Sequence, residues 1–164
     1  MSCKCKKYKH LELKRSEISR RIRQSKKLKN KLQIIAKHSS SEHKLLKCPE
    51  CGQYWQSSGV WNRGNYPYLF KVPEIDPDNW LHEPYIQPDE LLIYVAIMSK
   101  YMSQDFVKSS RVCRVDGCNE HALDISAFCL SRHIRSLQKV SLLPKDPHGR
   151  WFLPYHRAGD DIDN

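Results

Sequence analysis

The arrangement of seven cysteines and one histidine constrains this chain more than any other sequence feature. Two tetrahedral zinc sites need eight protein ligands, and these residues supply that number. One set joins a C-x-C pair near the N-terminus to a C-x2-C pair: Cys3, Cys5, Cys48 and Cys51. The other has the spacing C-x4-C-x10-C-x3-H: Cys113, Cys118, Cys129 and His133. We therefore expect two structural zinc ions, with no thiol left for catalysis or for a disulfide.

The spacing of the C-terminal set suits a single ion. Gly117 precedes Cys118, and glycine permits the tight backbone of a short metal-binding loop. Cys129 and His133 lie four residues apart within residues 126–138, which we predict to be helical. Residues four apart share one helix face, so both side chains can reach the same ion.

The N-terminal set depends on a long-range pairing. Cys51 is followed by Gly52, which again favours a tight metal-binding turn. Cys3 and Cys5 are the expected partners, and this pairing requires the N-terminus to lie near Cys48. The alternative ligands for this site are three histidines: His10, His38 and His43.

The ligand types favour a structural role over a catalytic one. A catalytic zinc commonly has three protein ligands and one open position, whereas each set here offers four ligands, mostly thiolates. The other histidines have no paired carboxylate motif: His82, His121, His148 and His156. We therefore expect a protein without enzymatic activity.

Positive charge is concentrated near the N-terminus. Residues 1–47 contain 16 Lys and Arg against 3 Glu, a net charge of +13, whereas the remainder has 12 basic and 15 acidic residues, a net of −3. Such asymmetry suggests nucleic acid, an acidic protein or a membrane surface as partner. The alternative is a solvated helix whose lysines only maintain solubility.

Residues 11–38 lack Gly and Pro and predict one long helix, or two helical segments in a hairpin. A narrow apolar stripe recurs along it: Ile18, Ile22, Leu28, Leu32 and Ile35. Its basic side chains are candidate partner contacts: Arg20, Arg21, Arg23 and Lys27. Three serines at 39–41 then begin a linker.

The remaining pattern predicts an α+β fold with strands at 54–56 and 68–72 and a core helix at 88–108. Residues 73–88 are rich in proline and predict an irregular loop anchored by Trp80. Composition suggests a basic helical arm at 1–44, a zinc-binding body at 45–140 and an irregular tail at 141–164. Within this tail, Trp151, Phe152 and Tyr155 are expected to pack back onto the body.

Aromatic residues of the predicted β unit are candidates for a binding surface, because Tyr and Trp are frequent at interface hot spots. The candidates are Tyr54, Trp55 and Trp61, with Tyr66 and Tyr68 beside them. The alternative is that these aromatic side chains form the core of the β unit.

The sequence also indicates a compartment. No run of eighteen apolar residues and no signal-peptide pattern is present, so we expect no membrane partner and a cytoplasmic location. Paired cysteines in such a chain favour metal thiolates in a reducing environment over disulfides.

Two stretches resemble a known family. The string at residues 46–56, Leu-Lys-Cys-Pro-Glu-Cys-Gly-Gln-Tyr-Trp-Gln, is similar to the cysteine knuckle of small bacterial proteins found among polymorphic-toxin immunity genes. Those proteins also carry a segment like residues 113–118, followed by a pair like Cys129 and His133. The resemblance covers roughly residues 45–136 and implies a protein that binds and neutralises a cognate toxin. The strongly basic character departs from immunity proteins that cover nuclease sites, which are often acidic, and a nucleic-acid-binding zinc protein is the alternative.

Overall fold

The computed structural model describes residues 3–60 and 66–155 of the chain. It is an α+β protein, as predicted, and it divides into two compact units. The first unit consists of Met1–Ile93 and Pro147–Asn164, and the second of Tyr94–Asp146. The division into an arm (1–44), a body (45–140) and a tail (141–164) was based on composition and stays a prediction.

The first unit contains a four-stranded antiparallel sheet with the strand order β1-β2-β3-β4. Its strands are β1 (Gln33–Lys37), β2 (Lys44–Lys47), β3 (Tyr54–Gly59) and β4 (Pro67–Lys71). Its helical segments are a short 3-10 helix (Cys5–Lys7), α1 (Arg15–Lys29), α2 (Pro77–His82) and the start of α3 (Pro88–Met102). The strands predicted at 54–56 and 68–72 are confirmed as β3 and β4.

Helix α1 packs against β4 through a face that recurs every three or four residues. Four of its side chains are buried: Ile18, Arg21, Ser25 and Leu28. The predicted helix over 11–38 is wrong before Arg15, where residues 11–14 are not helical, and beyond Lys29, where the chain turns and forms β1. Ile34 and Ala36 pair with β2, so this segment gains sheet hydrogen bonds and partial burial of Ile35. This tertiary pairing outweighs the weak local preference for helix.

The sheet is covered on both faces, since Tyr54 through Ser58 are all buried along β3. Alternate side chains point to opposite faces of a strand, and they enter two separate clusters. Leu45, Tyr68 and Phe70 join the larger cluster, with tail residues Phe152 and Tyr155. The other face holds the second cluster: Leu46, Trp55, Leu69, Leu28, Cys5 and Cys48. Packing of tail aromatics against the body is thereby confirmed.

The segment 73–88 is not wholly irregular, because α2 forms within it. The Asp76 carboxylate accepts hydrogen bonds from the backbone N–H of Asp78 (3.0 Å) and Asn79 (3.2 Å), and Pro77 occupies the first turn. Trp80 on this helix is fully buried and donates its indole N–H to Gln56 Oε1 at 2.8 Å. The predicted anchoring role of Trp80 is confirmed.

The second unit contains the rest of α3, a ribbon of β5 (Lys108–Val112) and β6 (His121–Leu123), and α4 (Leu130–Lys139). Helix α3 ends at Met102 rather than at 108, since Lys108 already pairs with Leu123 in the ribbon. Helix α4 begins at residue 130, four residues later than predicted, with Cys129 as its N-cap. In the described part of the chain, no helix has the length and apolar character needed to cross a bilayer.

Candidate metal centres

The first cysteine group is built on the hairpin that joins β2 to β3. Cys48 follows the end of β2, and its carbonyl accepts a hydrogen bond from the Gly52 N–H at 2.9 Å. Gly52 has a φ of +75°, a conformation that residues with a Cβ rarely adopt. This turn presents Cys48 and Cys51 towards the same point, as the C-x2-C spacing predicts.

The N-terminal segment brings the other two thiols to this turn. Cys3 Sγ lies 3.2 Å from Cys51 Sγ and 3.5 Å from Cys48 Sγ. All four sulfur atoms, including that of Cys5, lie within 4.8 Å of one another. The predicted approach of Cys3 and Cys5 to Cys48 and Cys51 is confirmed. The alternative ligands are not in this group: His10, His38 and His43.

The surroundings of this group fit a metal ion bound by thiolates. Burial strongly raises the pKa of the Cys5 thiol and the adjacent thiols raise it further, while the Trp55 indole N–H lowers it. That indole nitrogen is buried, and apart from the neighbouring Cys5 sulfur it has no hydrogen-bond partner among the described residues. A metal-bound thiolate would give it an acceptor, as outer-shell donors do in metal sites. Donor chemistry and this buried N–H together support a cation at the centre of the group.

Cys48 is a thiol of this group with a lowered pKa. Burial raises its pKa, but hydrogen bonding by the backbone of Cys51 and Glu50 outweighs this and lowers the pKa to about 7. The cations Arg21 and Lys71 lie over the Trp55 ring, at 5.7 and 5.8 Å from its centroid. Of the two, Lys71 interacts with the thiols of Cys5, Cys51 and Cys3, and positive charge near thiolates stabilises their ionised form.

The second group lies entirely in the second unit and contains three thiols. Cys113, Cys118 and Cys129 place their sulfur atoms within 4.8 Å of one another, with Cys118 and Cys129 at 3.9 Å. Gly117 has a φ of +75°, which allows the sharp turn before Cys118. Burial raises the pKa of Cys129, but the Ser131 hydroxyl and the Arg132 backbone lower it to about 7.

His133 lies in the first turn of α4, and its backbone N–H donates to the Cys129 carbonyl at 2.8 Å. The backbone spacing is therefore the one-turn separation that was predicted. Its ring nitrogens are not within the 4.8 Å group formed by the three thiols. The role of His133 as the fourth ligand stays a prediction.

Of the basic residues predicted to contact a partner, Arg21 is buried and is not available as a surface contact. Arg20, Arg23 and Lys27 are exposed on α1, whereas Arg21 is only 5% exposed. Its guanidinium donates to the carbonyls of Leu69 (3.0 Å) and Lys9 (2.8 Å). Arg21 therefore joins α1 to β4 and to the N-terminal segment, because its position in the helix faces the sheet.

Of the two interpretations of the aromatic residues in the β unit, the structure supports the core and not the binding surface for Tyr54, Trp55 and Tyr68. Tyr54 is 9% exposed, and Trp55 and Tyr68 are fully buried in the cores on the two faces of the sheet. These side chains lie inside because both faces of β3 are covered. Trp61 falls outside the described residues, and Tyr66, at 64% exposed, remains available to a partner.

One grouping was not foreseen from the sequence. Four histidines line a cavity of about 350 Å³ in the first unit: His38, His43, His82 and His148. They are spread over 110 residues of sequence. The β1–β2 hairpin, the end of α2 and the C-terminal tail bring them to one cavity. Within the described ranges, the side chains whose ligand atoms lie close enough to hold one metal ion are those of the two cysteine groups.

Comparison of the chain with protein-family models, with curated proteins and with solved structures finds no match. The two cysteine groups and the exposed basic side chains of α1 are the features of the described structure from which a function can be inferred.

Proposed function

We propose that this chain is a non-enzymatic, zinc-stabilised binding protein that presents a fixed basic surface to nucleic acid. The observation that carries the proposal is the first cysteine group, which attaches the basic N-terminal segment to the β2–β3 hairpin. A loose polycation would need no such attachment. The surface is called the basic face of α1 and consists of Arg20, Arg23, Lys26 and Lys27.

The donor set supports zinc as the metal. A tetrahedral Zn²⁺ with Zn–S bonds of about 2.3 Å has its sulfur atoms roughly 3.8 Å apart. The Cys3 sulfur lies at 3.2 and 3.5 Å from two partners, and Cys118 lies at 3.9 Å from Cys129. An all-thiolate first group leaves no position for a substrate or an activated water, which supports a structural role. Thiolate sites persist in reducing compartments, which supports a cytoplasmic location.

The basic face of α1 is available for anions. Ile18, Leu28 and their buried neighbours occupy the sheet side of the helix, so the basic face points to solvent. Arg20 pairs with Glu17, whereas Arg23, Lys26 and Lys27 form no ion pair with the described part of the chain. Unpaired cations of this density bind phosphate backbones with release of counterions.

Fluorescence anisotropy against labelled DNA and RNA tests this proposal. Each contacted phosphate on a single strand contributes a slope of about −0.7 in log K against log salt. Roughly four contacts then weaken binding about 50-fold between roughly 50 and 200 mM salt. The triple variant Arg23→Ala, Lys26→Ala, Lys27→Ala should bind more weakly and show a shallower salt slope.

A matched control removes the same charge from the second unit. Lys100, Lys108 and Lys139 are exposed, and their triple alanine variant should keep the affinity and the slope of the wild type. Equal losses in both triple variants would mean that net charge alone governs binding. Absence of salt-sensitive binding in the wild type would refute the nucleic-acid proposal.

A second candidate is neutralisation of a cognate toxin. The resemblance of residues 46–56 to immunity-type cysteine knuckles supports it. The burial of Tyr54 and Trp55 removes both side chains from the contacts available to a toxin. Co-expression with the product of a neighbouring gene, followed by gel filtration, tests it. A stoichiometric complex supports this candidate, and independent elution of the two proteins counts against it.

A further inference from the structure

We infer that the nucleic acid is single-stranded and that one unpaired base enters a cavity beside α1. This inference rests on the proposed function and specifies the form of its ligand. The cavity has a volume of about 410 Å³, within the range of roughly 300–1,000 Å³ that small-molecule sites occupy. It lies where α1 packs against β4, adjoining the basic face of α1.

The cavity combines apolar side chains with an exposed aromatic ring. Ile22 of α1 and Pro67 and Leu69 of β4 line it together with Tyr66. Tyr66 is 64% exposed, so its ring contributes little to the core of the sheet. A base stacked on an aromatic side chain is a sequence-tolerant contact, because every base has a flat π-face.

Phosphate and base-edge contacts are available at the same cavity. Lys26 and Lys29 lie three residues apart on α1 and both line it, so they are neighbours on the helix surface. Neither forms an ion pair with a described residue. Asn30 also lines the cavity, and an asparagine side-chain amide has both donors and an acceptor for a base edge.

The cavity's own polar contacts do not compete for this ligand. The Ser25 hydroxyl already donates to the Arg21 carbonyl (2.7 Å) and accepts from the Leu69 N–H (2.8 Å). Ligand recognition is therefore left to the lysines, Asn30 and the aromatic ring. A base in a duplex is stacked between its neighbours and cannot enter such a cavity, whereas a base in a single strand can.

Anisotropy titrations with a single-stranded oligonucleotide and with its duplex test this inference on the zinc-loaded full chain. Tyr66→Ala should weaken single-strand binding about tenfold or more, in keeping with the loss of one stacked base. Tyr66→Phe keeps the ring and should bind like the wild type. Duplex affinity should be lower than single-strand affinity and should not change in either variant.

The outcomes separate this inference from the proposed function. If neither strand form binds in a salt-sensitive way, the proposed function itself is wrong. If both forms bind equally and Tyr66→Ala has no effect, the basic face still binds nucleic acid and the base-stacking cavity is refuted. Thermal unfolding of each variant provides the folding control, and an unchanged melting temperature is expected because Tyr66 is exposed.

Discussion

Replacing Arg21 by alanine distinguishes the two roles that an arginine on α1 can have. The wild-type guanidinium donates to the carbonyls of Leu69 and Lys9 and lies over the rings of Tyr8 (5.4 Å) and Trp55 (5.7 Å). It thereby connects the helix, the edge strand β4 and the segment that carries the first cysteine pair. Arg23, two residues further, is exposed and has no such contacts in the described structure.

The cost of Arg21→Ala can be worked from these contacts. A hydrogen bond to a charged group is worth about 1.5–3 kcal/mol, and a cation–π contact about 0.5–2 kcal/mol. The Leu69 carbonyl is buried and loses its donor, whereas the Lys9 carbonyl is partly exposed and regains water. We therefore expect a loss of about 2–4 kcal/mol, a large part of a typical folding free energy of roughly 5–15 kcal/mol.

Urea unfolding followed by tryptophan fluorescence measures this loss in the right place. All four tryptophans, Trp55, Trp61, Trp80 and Trp151, belong to the first unit. Arg23→Ala is the matched control and should change the unfolding free energy by less than about 0.5 kcal/mol. A loss below about 1 kcal/mol for Arg21→Ala, or equal losses in the two variants, would refute the structural role of Arg21.

Three further results are expected. Removing metal with a chelator under reducing conditions should lower the midpoint of the same fluorescence transition, because metal binding energy is folding energy; an unchanged midpoint contradicts metal-dependent folding. Trp80→Phe should cost about 1–3 kcal/mol in urea unfolding, since the buried Gln56 Oε1 loses the indole donor and keeps the Tyr85 N–H; a neutral effect argues against the Trp80 hydrogen bond. Burial lowers the pKa of His43 below 6.5, so the unfolded state takes up a proton first and stability falls as the pH drops through about 6.5. His43→Gln should reduce this loss in unfolding free energy between about pH 7.5 and 5.5, and an identical pH dependence in both proteins contradicts it.

The parts of the structure that could be predicted from the sequence are those with short-range signals. The C-x2-C turn with Gly52, the strand predicted at 68–72 and the start of the core helix at Pro88 all depend on signals within a few residues. The assignment of Cys3 and Cys5 to the same site as Cys48 and Cys51 followed from counting ligands, because a tetrahedral zinc site needs four ligands.

The errors arose where distant partners decide the outcome. Residues 33–37 favour helix locally, but pairing with β2 makes them a strand. Arg21 and Arg23 are both arginines of the same basic helix, and the sequence does not show which of them is buried. The packing of α1 against β4 buries Arg21. For Trp55 the sequence left both a binding surface and a core position open, because nothing in its own strand indicates that α1 and the N-terminal segment cover it.

The central claim is that a metal ion at Cys3, Cys5, Cys48 and Cys51 fixes the basic N-terminal segment to the sheet. Metal analysis of the purified chain, with Cys3→Ser/Cys5→Ser as the comparison, tests it most directly. We predict two zinc ions per wild-type chain and one per variant chain, since the second unit keeps its own group. One zinc per wild-type chain, or two in both proteins, would contradict the account.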